Sequence, residues 1–221
     1  MTRTIIYVDG FNLYYGALKR TPDKWLDLAA YFGLILPDAD LRAVRYFTAP
    51  VSGQEGVDQQ VYLNALAMNP LVDIRLGKYK PKTIRCGVGT CSHRGPREFT
   101  RSEEKQTDVG IAVGMLDDAY QSHADRMVSV SGDSDLVPAL RLVGVRAPAI
   151  KLSVYIPDRR AWNVRQASGS KPSVRTFAED IRSAVGNKNV RLLPIIELGR
   201  SQLAPSMLSS DGSTITKPSD W

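Results

Sequence analysis

The sequence predicts an α/β domain with a central, mostly parallel sheet flanked by helices, and three observations carry this. Short apolar runs recur at Ile5-Ile6-Tyr7-Val8, Val44–Ala49, Met127–Val130 and Leu152–Ile156, as in strands buried on both faces. Stretches of helical periodicity separate them, giving a βαβα alternation. Two runs end in aspartates beside glycine, at Asp9-Gly10 and at Gly132-Asp133-Ser134-Asp135.

Taken in order, Asp9-Gly10 ends the first strand, and Leu13, Ala17 and Leu18 mark a helical pattern after it. Trp25–Phe32 reads as a second helix, with Leu28 and Phe32 four apart. The strand at Val44–Ala49 stops at Pro50. Gln54–Met68 is helical, with Val57, Val61 and Leu66 on one side, and Asn69-Pro70 ends it. Val72–Leu76 reads as a short strand with alternating sides. From Gly77 to Glu104 the periodicity dissolves into a basic stretch, read as a long loop or hairpin inserted into the domain. Thr107 is placed as the cap of a helix over Asp108–Tyr120, whose apolar residues are Ile111, Ala112, Met115, Leu116 and Ala119. A strand at Met127–Val130, a short helix at Leu136–Val143 and a strand at Leu152–Ile156 follow. Beyond them, 168–173 is small, polar and flexible, Phe177–Val185 is helical, and Val190–Leu198 is apolar without a clear period. Ser201–Trp221 reads as a tail, poorly ordered or lying on the surface. The domain is therefore expected over 1–158, with the basic insertion at 77–104 and a C-terminal extension and tail over 159–221.

The 221 residues, 43% of them hydrophobic, suffice for one core plus an appendage. No run approaches the roughly 18 apolar residues of a membrane span. Met1-Thr2-Arg3-Thr4 leads directly into a strand rather than into a secretory signal, so a cytoplasmic protein is expected. The net charge of +6 favours a polyanionic partner. Nine Lys/Arg against three Glu lie between Arg75 and Lys105, and five Lys/Arg with no acid between Arg159 and Arg175. Tyr79 among the first set and Trp162 among the second suit single-stranded nucleic acid, while Trp162 equally suits a core position.

In open parallel sheets, ligands sit beyond the carboxyl ends of the strands. Asp9, Asp133 and Asp135 are expected to converge there, and Asp108 opens a helix at an edge of the same sheet. Carboxylates packed together stay ionised only if cations compensate, and hard oxygen ligands suit Mg²⁺ or Mn²⁺. Mg²⁺ keeps several waters, which leaves room for a phosphodiester oxygen and an attacking water. Separately, Cys86, Cys91 and His93 form C-x4-C-x-H, three ligand types for Zn²⁺ with no fourth nearby. A pair of free thiols in a reducing compartment is the other reading.

Val8-Asp9-Gly10-Phe11-Asn12-Leu13 resembles the opening D-G-x-N motif of NYN domains, a branch of the PIN-like nucleases. Glu104-Lys105-Gln106-Thr107-Asp108-Val109 is similar to their E-K-x-x-D-V segment. Ser131-Gly132-Asp133-Ser134-Asp135-Leu136-Val137-Pro138 is similar to S-G-D-S-D-F-x-P, with Leu136 in place of Phe. The resemblance spans about Thr4 to Ile156. It implies a Rossmann-like fold and a metal-dependent endoribonuclease, a hydrolase of RNA phosphodiester bonds. Asp9, Asp108, Asp133 and Asp135 would then hold Mg²⁺ or Mn²⁺ directly or through water. Asn12 would orient a ligand or the scissile phosphate, Ser131 would hydrogen-bond a ligand carboxylate, and Lys105 would contact phosphate or balance charge.

The tail, from Ser201-Gln202-Leu203 to Trp221, resembles the end of one bacterial subset. Some chains like that subset carry the name of an NADH- and flavin-dependent hydroxypyridine monooxygenase. Gly10-Phe11-Asn12-Leu13, however, is not a G-x-G-x-x-G phosphate loop. A non-catalytic RNA-binding regulatory module is a third reading. Self-association into a homo-oligomer, through a sheet edge or the tail, stays open.

Overall fold

The structure is a computed structural model that describes residues 1–168, 177–219 and 221. The small polar run from 169 to 173, and Lys171 and Arg175, lie outside the described residues. The chain runs β1 (Thr2–Asp9), α1 (Gly10–Leu13), α2 (Leu28–Ile35), β2 (Ala39–Thr48), α3 (Gln54–Ala67), β3 (Val72–Leu76), β4 (Lys78–Arg85) and β5 (Glu98–Lys105). It continues through α4 (Thr107–Tyr120), β6 (Arg126–Val130), α5 (Val137–Arg146), β7 (Lys151–Ile156), α6 (Arg159–Ser168), α7 (Phe177–Val185), β8 (Val190–Leu192), β9 (Ser206–Leu208) and β10 (Thr214–Thr216).

Six strands form one sheet in the order β3-β2-β1-β6-β7-β8, and every neighbouring pair is parallel. From β1 the chain steps outward to β2 and β3, then crosses back to lay β6 on the other side of β1. The reversal leaves the crevice between β1 and β6 as the topological switch point, where the two connections leave the sheet in opposite directions. In β1 the period of two sends Ile6 and Val8 to one face and Ile5 and Tyr7 to the other. The first face packs with α2, α3 and Trp25 in one core, the second with α4, α5 and α7 in another.

Several elements differ from the sequence expectation for identifiable reasons. The second helix starts at Leu28, because Asp27 caps it by accepting from Ala30 N at 2.9 Å. Trp25 lies before it as fully buried core. Thr107 is not the cap of α4 but its first residue, and Gln106 takes the cap position at φ +82°. The basic insertion is a regular antiparallel hairpin, with Lys78 opposite Lys105 at its base and Arg85 opposite Glu98 near its tip. The apolar stretch at Val190 supplies β8, paired to β7. The tail lies on the surface, tied by Asp27 N to Ser201 O at 2.8 Å and Trp25 Nε1 to Ala204 O at 2.9 Å. Among the described residues no helix is long and apolar enough to cross a membrane.

One buried polar network fixes α4 to the sheet. Asp118 is wholly buried, accepts from the Tyr7 hydroxyl at 2.6 Å, and pairs with Arg45, which also reaches Asp73 at 3.1 Å. Burial, then this carboxylate, pushes the Tyr7 hydroxyl far above the ordinary phenol range, so it stays a donor. Removing one partner of a buried pair strands the other. Asp118→Ala is therefore expected to cost about 3 kcal/mol, the low end for such sites because Arg45 keeps Asp73. The check is urea unfolding: a lowered midpoint at unchanged slope is expected, and an unmoved midpoint would contradict the network.

Candidate active site

The carboxyl ends of β1 and β6 meet at the switch point, and side chains from both turns are laced together there. Val8 pairs with Val130, which brings Asp9 level with Ser131. Asp9 is buried, yet both its oxygens are occupied. Asn12 N donates to Oδ1 at 2.9 Å, and Asn12 Nδ2 and Ser131 Oγ donate to Oδ2 at 2.6 and 2.9 Å. Asn12 Oδ1 in turn accepts from Gly132 N at 3.1 Å, bridging the two turns. Ser131 Oγ accepts from Asp133 N at 3.0 Å, and Asp133 Oδ1 accepts from Asp135 N at 2.9 Å. Asn12 and Ser131 thus act on Asp9 rather than standing free in the cleft.

Two glycines make this lacing feasible. A Cβ on Gly10 would lie 2.7 Å from the Phe47 carbonyl oxygen, and one on Gly16 would lie 1.8 Å from that of Pro157. The start of α1 is therefore pressed against the end of β2, and the helical turn Tyr14–Leu18 after it against Pro157 beyond β7, and no larger residue fits at either point.

The base of the β4–β5 hairpin adds two more carboxylates, Glu104 from β5 and Asp108 from the first turn of α4. Burial first, then the charges of Asp9, Asp108 and Asp133, pushes the Glu104 carboxyl up to about 7. Burial and the charges of Asp9, Asp133 and Asp135 push Asp108 up to about 6. Burial also raises Asp9, against the pull of its three donors. Among the described residues no Lys or Arg is ion-paired with any of these acids. Glu104 Oε1 is buried with no hydrogen-bond partner.

Glu104 was not among the site residues expected from sequence. Its signal was the first letter of the E-K-x-x-D-V segment, followed by a strand alternation that turns it toward Asp108. Lys105 points the other way, its ammonium 3.0 Å from Glu103. Asp135 is exposed and contributes its charge from the rim. Among the described residues, no three His, Cys, Asp or Glu side chains are drawn close enough to grip a metal ion as they stand. That holds for the acidic edge and for Cys86, Cys91 and His93, whose cysteines are free thiols. The acidic donor set still fits a hard divalent cation: it is all oxygen, mutually repulsive, and holds one buried oxygen without a partner.

Around the edge lies a partly open aromatic strip. Phe11 stacks on Tyr15 with centroids 6.3 Å apart, and Tyr79 of the hairpin meets Phe11 edge-on at 5.7 Å. A groove of about 660 Å³ beside Asn12 and Asp133 runs past Tyr15 to Arg160. Trp162 packs against both cores instead. On the hairpin, Lys78, Lys80, Arg94 and Arg97 are exposed, and Lys82 is paired with Glu103 at 2.8 Å.

A sequence model of the NYN domain matches residues 3–168, three quarters of the chain. The chain is 30% identical to 6-hydroxy-3-succinoylpyridine 3-monooxygenase HspA of Pseudomonas putida (strain DSM 28022 / S16), over 70% of this chain and 59% of that protein. It thus spans little more than half of that relative's length. Among solved structures it is similar to VPA0982 of Vibrio parahaemolyticus RIMD 2210633, a protein of unknown function. That match has a TM-score of 0.45 and 19% identity, covering 70% of this chain and 80% of that one. With its three motifs brought to one sheet edge, the chain belongs to the NYN domain family, within the PIN-like nuclease superfamily.

Proposed function

We propose that the protein is a metal-dependent ribonuclease that hydrolyses phosphodiester bonds of single-stranded RNA at the β1/β6 edge. The observation that carries this reading is the cluster of Asp9, Glu104, Asp108 and Asp133: burial and neighbouring carboxylates raise the proton affinity of Asp9, Glu104 and Asp108, and among the described residues no Lys or Arg is ion-paired with the cluster. A bound Mg²⁺ or Mn²⁺ supplies the missing positive charge, polarises the phosphate and makes water a stronger nucleophile.

The chain's own residues do the rest. Asp9, Glu104, Asp108 and Asp133 would hold the ion, with Asp135 holding it from the rim. Asn12 and Ser131 keep the Asp9 carboxylate in one orientation, so it does not reorganise when ligand arrives. Phe11, Tyr15 and Tyr79 offer ring faces for bases, and Arg160 with the exposed hairpin cations attracts the phosphate backbone. The Pseudomonas relative's name describes an oxygenase. Here the β1–α1 turn places a buried carboxylate where a dinucleotide fold presents glycines to a pyrophosphate, and this favours hydrolysis.

The direct test is cleavage of single-stranded RNA with Mn²⁺ or Mg²⁺. Asp133→Ala and Asp9→Asn are expected to lower kcat/KM by at least about 100-fold. Asn12→Ala, which frees Asp9 to rotate, is expected to lower it by about 10–100-fold. Robust cleavage by Asp133→Ala would sink the assignment.

The acidic edge also predicts a pH dependence in chelator. Glu104 and Asp108 bind protons more tightly folded than unfolded, so their contribution is fully present near pH 4 and lost as pH rises through 6 to 7. Glu104→Gln removes one of the repelling charges. Its Tm advantage over the parent should grow from near zero at acid pH to about 2–4 °C above neutrality, and Mn²⁺ should cancel it. A constant difference across pH would contradict the coupling.

A further inference from the structure

Next to the acidic edge, on its β2 side, lies a cavity of about 260 Å³ whose interior, behind Phe11 and Tyr15, the proposed chemistry does not use. It is below the roughly 300–1,000 Å³ of sites for drug-sized ligands, and suits a single ring system. Its walls are aromatic. The Tyr46 and Tyr62 rings meet edge-on at 6.3 Å, and Trp221 leans on Tyr62 at 5.1 Å. The inner polar groups are largely spent within the protein. The Tyr62 hydroxyl donates to Leu26 O at 2.8 Å, and the Gln59 amide is engaged with Ala49 O at 3.1 Å and Val51 N at 2.9 Å. Two carboxylates from the start of α3 line it, Glu55 and Asp58, the second already accepting from Gln54 Nε2 at 3.2 Å, together with Lys24, whose ammonium lies 5.6 Å from the Trp221 ring centre. The interior therefore offers ring faces, and α3 offers carboxylate acceptors, with Glu55 the more exposed of the two.

The cavity and the acidic edge share one turn. Gly10 and Phe11, which line the cavity, directly follow Asp9. The Tyr46 hydroxyl is raised above the ordinary phenol range first by burial and then by the charge of Asp9, so the two sites are electrostatic neighbours.

We propose that this cavity is a base-selecting pocket that takes one nucleobase of the RNA strand, guanine by preference. The reason is these carboxylates. Ionised carboxylates only accept hydrogen bonds. Guanine presents two adjacent donors, N1–H and the 2-amino group, to one carboxylate. Uracil presents a single N–H flanked by two carbonyl oxygens, which a carboxylate repels. The same ring chemistry exists in free heteroaromatic molecules, so the test must separate a base on a strand from a free ring. The inference rests on RNA as the substrate of the proposed function, and the binding arm is run without metal so that each can fail alone.

The experiment follows Trp221 fluorescence in the full chain, in chelator, with guanosine and uridine as probes and Trp221→Phe to assign the signal. Guanosine is expected to bind at least about tenfold more tightly than uridine. Glu55→Gln, at an exposed position on α3, should erase that difference with far-ultraviolet circular dichroism unchanged. A guanine-containing tetranucleotide should displace guanosine, and cleavage sites mapped with Mn²⁺ on a mixed-sequence RNA should cluster at guanine. Equal affinities, or a preference untouched by Glu55→Gln, would overturn the pocket even if RNA is cleaved. Failure of the tetranucleotide to displace guanosine would overturn its assignment to a strand and leave a free ring as the occupant. Guanosine selectivity with tetranucleotide displacement but no cleavage upholds the pocket and removes the ribonuclease reading alone.

Discussion

A charge buried at the junction of two parallel strands is the constraint on which the rest depends. Asp9 sits where β1 ends and the chain's two crossover directions diverge. Burial raises the cost of its ionisation, and three hydrogen bonds from Asn12 and Ser131 offset part of it. Those donors come from both turns, so satisfying the carboxylate also joins β1 to β6 at their carboxyl ends. Gly10 and Gly16 lie on either side of Asn12 along the chain and let it run close against Phe47 and Pro157.

The sheet supports this junction from both sides. Ile6 and Val8 bury one face of β1 against the helices α2 and α3, and Ile5 and Tyr7 bury the other against α4 and α5. The Tyr7 hydroxyl then reaches Asp118, so the strand that positions Asp9 is also the strand that anchors α4. Asp108 lies in the first turn of that helix. Two acids separated by 99 positions in the chain are thus held through one strand and one helix, each with its own buried polar tie.

The sheet and the acidic edge were largely legible in the sequence, because both rest on short-range signals. Continuous apolar runs marked β1, β2, β6 and β7 and an alternating run marked β3, although β2 begins earlier than its apolar core, at Ala39. Aspartates at strand ends marked the switch point. The shortfalls come from long-range pairing. The three-residue β8 has meaning only beside β7, and its apolar context had no period to reveal it. The hairpin at 78–105 carries few apolar residues, so hydrophobic periodicity was silent. Glu104 was passed over and Lys105 chosen for the same reason: strand alternation decides which of the two faces the acids. Thr107 has the chemistry of a cap, but the left-handed turn at Gln106 shifts the helix start by one residue.

The hairpin's construction separates two properties that are coupled in most inserted loops. Its register is set at the root, where Lys78 faces Lys105 and Gly77 N donates to Thr48 O at 2.7 Å, while its tip makes little contact with the domain. Glu104 lies one residue from that root. Residues gained or lost at the tip change the reach and charge of the arm but leave the orientation of Glu104 as it is. The length and composition of the arm are therefore set apart, in the structure, from the register that fixes Glu104 at its foot.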